Sequence, residues 1–421
     1  MAEKTSVLVI GGGIGGFANA LALARLGADV RLVEQAPEFG EVGAGLQMSP
    51  NATGILERWG LLDQAIETGV APQQIIFRDA ITGKDLLAQD VMGEFRERYG
   101  APYIVAHRSD LHRVFWQTAE AEGVRTTNNV HIEKVENLPG GAGAVATAAD
   151  GTEYRADVII AADGLKSGVR RQLSDDEPVG SAYVAYRGAL PIKDVKHASD
   201  MNAVVVYFGP QCHLVQYPLR RGDLFNTAAV YRSKSFEEGR LHIEGDEELR
   251  EAYKDCVPEV QDALGNVNHV QRWPMFDREP ITDWVDGRIA LIGDAAHPML
   301  QYLAQGACQA IEDAGAIQEA ARTTVFADPE NPDPSQWDAA LAAYNEERAP
   351  RAGRIQSTAR MWGEAWHLDG DVERTVRNML FESAGRNGIW EYTDWLYGHR
   401  VGTGAAAQEK VEQSTVQAVA G

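Results

Sequence analysis

Apolar and polar positions along the chain follow two periods. From Val7 the run Val-Leu-Val-Ile has no polar break, the pattern of a strand buried on both faces. From Ile14 to Leu26 the apolar residues recur at helical spacing until Gly27 ends them, and a second strand at 29–33 delivers Glu34 at its tip. The chain thus opens as a strand, helix and strand of parallel-sheet type. Residues 41–62 read as a glycine-rich loop and then a helix from about Pro50 and Asn51, and about 73–103 is strand-like and mixed. The stretch HRSDLHRVFWQTAEAEG (107–123) predicts an amphipathic helix with Ser109 as its N-cap. After it, GGAGAVATAADGTEYRADVIIAADG (140–164) predicts a hairpin and a buried strand at 157–162 ending on Asp163-Gly164.

From about Tyr183 to Trp273 the period becomes two, with strands expected at 204–208, 213–217 and 226–231, a largely antiparallel sheet. The α/β pattern resumes at 287–321 with a buried strand, a long glycine-bearing loop and a helix of small residues. The nucleotide layer is therefore discontinuous in sequence. Residues 336–401 read as helical, and 402–421 are small, polar and without clear periodicity, a mobile tail by expectation.

The first unit carries chemistry. Gly11-x-Gly13-x-x-Gly16, with Gly15 inside it, directly follows the first strand. Gly11 allows the tight turn, Gly13 lets a pyrophosphate approach the backbone, and Gly16 lets helix and strand pack closely. The helix N-terminus then favours the phosphates' negative charge. Glu34 follows the loop by roughly 20 residues, where a carboxylate accepts hydrogen bonds from a ribose. Because Glu34 would repel a ribose phosphate, the site suits FAD or NAD rather than NADP. Gly293-Asp294 separates these two. A carboxylate just past the buried strand, beside a glycine, is placed for the polyol of a flavin's ribityl chain, which NAD lacks. The helix starting at Gly306-Ala307 can turn its first amides to the flavin pyrimidine, where its dipole favours an anionic reduced ring. Small residues in the 41–62 loop let a flat ring lie against backbone, and Gln47 in that loop is counted with the cofactor residues.

Composition narrows the class. A formal charge of −22 argues against nucleic acid and suits an anionic membrane poorly. No apolar run of about 18 residues is present, and Met1 to Ser6 leads straight into the first strand, so a cytoplasmic protein is expected. Cys212, Cys256 and Cys308 lack metal-ligand spacing and suit a reducing compartment, and His297 has no partner at such spacing, so no metal is expected. An anionic substrate would need a locally positive field, for which Arg108, Lys166, Arg170, Arg171, Arg187, Arg220 and Arg221 are candidates. On the strand around GPQCHLVQYPL, alternation puts His213, Val215 and Tyr217 on one face, able to bind a phenol and a carboxylate or to serve as core.

Three elements together resemble the single-component flavoprotein aromatic hydroxylases over about residues 7–401: the glycine fingerprint with Glu34, Asp163-Gly164, and Gly293-Asp294 with Ala295-Ala296-His297-Pro298. The resemblance implies a 4-hydroxybenzoate hydroxylase-like α/β fold, with a Rossmann-like FAD-binding domain at 1–72, 104–182 and 274–335. It implies an inserted β-sheet substrate domain at 73–103 and 183–273, with a C-terminal helical segment at 336–401. FAD would be non-covalent and NADH would bind transiently without a second nucleotide fold. HRSDLH resembles the family's helix whose arginine, here Arg108, reaches the FAD, and Asp163 would assist FAD and nicotinamide binding. Within the family, a histidine and tyrosine on one strand and a glutamine after the His-Pro loop, here His213, Tyr217 and Gln301, resemble enzymes acting on 3-hydroxybenzoate. This implies para-hydroxylation to 2,5-dihydroxybenzoate (gentisate) through a flavin hydroperoxide. His213 would be the general base, acting as a free imidazole near pH 7, while Gln301 orients the ring and Tyr217 binds a carboxylate or phenol oxygen. A homodimer is expected. Salicylate hydroxylation with loss of carbon dioxide is the alternative enzyme, and a non-catalytic FAD-binding or redox-sensing module the alternative class. No Trp-x-Trp-x-Ile-Pro segment supports a flavin halogenase.

Overall fold

A six-stranded sheet forms the first layer. Its order is Val285–Asp286, Ile289–Leu291, Val158–Ala161, Ser6–Ile10, Asp29–Val33 and Arg125–Thr127, parallel except for the first pair. The computed structural model describes residues 4–402 apart from 41–44, 244, 386, 387 and 389, so the start of the glycine-rich loop and the expected tail beyond Gly402 lie outside the described residues. Val7, Leu8, Val9 and Ile10 are all buried, which explains their unbroken apolar run. The helix Ile14–Ala24 packs on Gly306–Thr323 and on Arg108–Ala121. Small residues make that approach possible: a Cβ on Gly15 would stand 3.1 Å from Cβ of Ala310.

The second layer is a seven-stranded sheet in the order Arg272–Asp277, Val179–Pro191, Leu224–Arg232, Cys212–Leu219, Ala203–Gly209, Gln74–Asp79 and Asp85–Asp90. Every neighbouring pair is antiparallel except Gln74–Asp79 with Ala203–Gly209. An early hairpin therefore completes a sheet built mostly from the later segment. One face packs against the C-terminal helices through residues such as Phe208 and Trp366, and the other holds Leu214, Tyr253 and Val260. The helical segment consists of Trp337–Trp366, Asp371–Ala384 and Trp390–Tyr397.

Local structure departs from the sequence expectation at two points. Ser109 is not the N-cap of Arg108–Ala121: His107 is, its Nδ1 accepting from the Ser109 amide at 3.3 Å and lying 2.8 Å from the Ser109 hydroxyl. The imidazole acceptor does the job expected of a hydroxyl. The strand expected at 157–162 is Val158–Ala161, because Asp157 turns aside to accept from the Ser6 amide at 2.7 Å and the Ser6 hydroxyl at 2.9 Å.

Candidate active site

A cavity of about 480 Å³ runs between the two sheets, within the usual range of small-molecule sites. Its lining gathers Gly13, Gly15, Gly16, Gln47, Arg108, Gly293, Asp294, Gly306 and Ala307 together with His213, Tyr217 and Gln301. Gly11, Glu34 and Asp163 stand outside that lining. Gly11 has φ +107°, and a Cβ there would meet the Ala162 carbonyl oxygen at 2.3 Å. A Cβ on Gly16 would lie 1.9 Å from the Gly11 carbonyl oxygen. Only glycine is tolerated at these two positions, and the bare backbone between them forms the cradle a pyrophosphate requires.

Glu34 accepts from the amides of Gly12 at 2.6 Å and Ala36 at 2.8 Å, so its carboxylate already clasps the loop. From the helix Arg108–Ala121, His112 places Nε2 2.6 Å from the Gly12 carbonyl oxygen, a second clasp with no signature in sequence. Asp163 accepts from the Ser167 hydroxyl at 2.6 Å and the Gly168 amide at 2.9 Å, which orders the turn after its strand.

The opposite wall also fits a flavin. Asp294 opens to the cavity, with no hydrogen-bond partner for its carboxylate among the described residues. The helix Gly306–Thr323 begins without a side-chain cap, leaving its first amides available to a ligand. Ala304, with φ +54°, holds the left-handed turn that aims this helix, a costly conformation for a residue with a Cβ. Burial lowers the Arg108 pKa, and the nearby Asp294 works against that shift. His297 lies outside the cavity lining, with Nε2 2.6 Å from Asp313. Asp313 also accepts from the Gly293 amide at 2.8 Å and from Arg348 Nε at 2.9 Å, so this network fixes the Asp294 turn.

On the seven-stranded sheet one cross-strand row sets the geometry. Phe77 pairs with Val206, Val206 with Val215, Val215 with Ala228 and Ala228 with Arg187, all on the cavity face. The row ends at a guanidinium. Arg187 donates from Nη2 to Oε1 of Gln301 at 2.7 Å and has no carboxylate partner among the described residues. Burial depresses the Arg187 pKa, and nearby Tyr217 opposes that effect. The Tyr217 phenol is raised by its own burial, with Arg187 pulling it down.

His213 is fully buried and was expected to titrate near neutrality, but desolvation pushes it down to about 3. Its Nδ1 lies 2.7 Å from Nε2 of His367, whose part in the site sequence reasoning missed.

The model of the FAD binding domain family matches residues 4–359. The chain is 37% identical over 406 residues to the 3-hydroxybenzoate 6-hydroxylase of Klebsiella oxytoca, across 94% of this chain and 98% of that one. The chain belongs to the FAD-dependent aromatic hydroxylases. A second hydroxylase of the same description, from Polaromonas naphthalenivorans, is 37% identical over 94% of this chain and 96% of its own length. Among solved structures, a salicylate hydroxylase substrate complex superposes with a TM-score of 0.78 at 25% identity, covering 97% of this hydroxylase and 98% of its own chain. Klebsiella pneumoniae HpxO, solved with FAD and uric acid, gives 0.78 at 22% identity over 90% and 93% and shares the fold. The chain thus uses FAD as its cofactor.

Proposed function

We propose that this hydroxylase converts 3-hydroxybenzoate to 2,5-dihydroxybenzoate, with NADH as reductant. Within one cavity, a half-buried guanidinium with no acid partner among the described residues, that of Arg187, stands together with the buried imidazole of His213, and this pairing supports the assignment. Arg187 offers its remaining N–H groups to the substrate carboxylate, a charge-assisted bond made strong by exclusion of water. Since Arg187 can only donate, its bond to Oε1 orients the Gln301 amide and leaves the Gln301 N–H groups for a ligand oxygen. His213 receives the phenol proton, which raises electron density at the carbon para to the hydroxyl. Phe77, Val206, Val215 and Trp366 line the same space and keep water from it.

The FAD would be held by the glycine cradle, Arg108, Asp294 and the amides of Gly306 and Ala307, with Gln47 fixed by the Tyr103 hydroxyl at 2.6 Å. When bound, it takes a hydride from NADH and supplies one activated oxygen atom from molecular oxygen. Both the relatives at 37% identity are 3-hydroxybenzoate 6-hydroxylases, which supports the same substrate here. The test is NADH oxidation by the FAD-loaded enzyme with 2-, 3- and 4-hydroxybenzoate. Stimulation by the 3-isomer with gentisate formed is expected, whereas a preference for the 2-isomer with catechol formed would transfer the assignment to salicylate.

A homodimer and a cytoplasmic location belong to the same reading. On the helix Asp371–Ala384, Val372, Val376, Met379 and Leu380 lie at helical spacing and are 51–73% exposed, an apolar stripe that a second copy of the chain would cover. No described helix is long and apolar enough to cross a membrane. Sedimentation of the purified enzyme at the mass of one chain would remove the dimer.

A further inference from the structure

Behind His213 lies a second buried imidazole. His367 caps the C-terminus of the helix Trp337–Trp366, stacks on Tyr183 at 4.2 Å and meets Tyr302 edge to face at 5.4 Å. Its ring lies 4.9 Å from that of His213, inclined by 27°, with the 2.7 Å approach between Nε2 and the His213 Nδ1. Two nitrogens this close share one proton, so the tautomers of the two neutral rings are tied together. If His213 keeps Nε2 bare as a base, His367 must carry its proton on Nδ1. If His213 presents an N–H to the cavity, Nδ1 of His367 is bare. That Nδ1 is buried with no partner among the described residues, and an orphaned donor costs more than an orphaned lone pair.

Charge decides what the pair can do. Burial alone carries His213 to about 3, and burial, His213 and the Arg377 guanidinium together hold His367 well below the ordinary imidazole range. A lone His213 would therefore be a weak acceptor for a phenol of pKa about 10.

We propose that His367 is the proton partner of His213, a role that rests on the phenolic substrate assigned above. The phenol O–H bond breaks as Nε2–H forms on His213. The Nδ1–H of His213 shifts toward Nε2 of His367 as this happens, so the proton taken from the phenol is shared by the two imidazoles, which together carry one positive charge beside the phenolate. His367 never touches the substrate; it is a positioning residue acting through His213.

The test uses the FAD-loaded enzyme and a nitro-substituted 3-hydroxybenzoate whose phenolate is coloured, mixed at neutral pH in a stopped-flow instrument. Binding is read from the flavin spectrum and ionisation from the phenolate band. In the parent, colour keeps pace with binding. In His367→Gln, which retains a polar partner for Nδ1 but cannot pass a proton through, and in His367→Phe, binding persists while colour lags by at least about 10²-fold. Colour keeping pace in His367→Gln would overturn the relay, and that variant decides alone if His367→Phe fails to take up FAD. An analogue that leaves the parent flavin spectrum unchanged would overturn the phenolic reading and the relay with it, without reference to His367.

Discussion

Arg187 Nη2 donates to Oε1 of Gln301 across 2.7 Å, joining a strand of the seven-stranded sheet to the loop that leads into the helix Gly306–Thr323. The contact makes one unit of two groups in the cavity lining, a fixed positive charge and an amide with its donors turned outward. Replacing Arg187 by Met removes the charge and frees the amide. The KM for 3-hydroxybenzoate should rise about 10–100-fold. For 3-hydroxybenzyl alcohol, which lacks the carboxylate, steady-state kinetics should show a much smaller change. Equal losses for both compounds would remove Arg187 from the carboxylate.

Gly16→Ala tests the cradle. With a Cβ 1.9 Å from the Gly11 carbonyl oxygen, the loop must open, so the variant should purify with little flavin and bind added FAD weakly. Absorbance per protein at the flavin band measures this. Full flavin content in Gly16→Ala would place the pyrophosphate elsewhere.

Acid should unfold the protein through the network beneath the site. Burial pushes Glu312 and Asp313 up, but Arg351 and Arg348 around Glu312, and His297 and Arg348 around Asp313, outweigh it, so both fold with lowered pKa values. A carboxylate lowered in the folded state contributes stability that is complete above its unfolded pKa, about 4, and lost as pH falls through the lower folded value. The thermal midpoint should hold from neutrality to about pH 5 and fall steeply below about 4. Arg348→Met leaves two buried carboxylates short of a partner and should cost about 3–5 kcal/mol at neutral pH. A midpoint unaffected by that substitution would contradict the network's role.

His213→Ala should bind FAD normally while hydroxylation slows by about 10²–10⁴-fold. Flavin reduction suffers less, so NADH is consumed without product and hydrogen peroxide accumulates. Raising the pH toward the phenol's own pKa, about 10, should restore part of the rate because the substrate then ionises unaided. Parent rate and parent coupling in His213→Ala would make His213 a packing residue.

Legibility followed sequence distance. The glycine loop, Glu34 and the paired strands were readable because their geometry is local, and alternation was enough to put His213, Val215 and Tyr217 on one face. Arg187 could be named only as one of seven cations, since its partner Gln301 is 114 residues away. His367 lies 154 residues from His213, and His112 is 100 residues from the carbonyl it holds. Nothing in a local pattern signals either. The depressed basicity of His213 was also hidden, because it comes from helices and strands closing over the ring.

The proposed reaction places one oxygen atom on 3-hydroxybenzoate para to its hydroxyl, and a single turnover under isotopic oxygen follows that atom. FAD-loaded enzyme with NADH, 3-hydroxybenzoate and ¹⁸O₂ should give gentisate carrying one ¹⁸O atom, identified by mass spectrometry and chromatography against the three other dihydroxybenzoate isomers reachable from this substrate. Product hydroxylated beside the existing hydroxyl, or NADH consumed with hydrogen peroxide as the sole oxygen product, would contradict it.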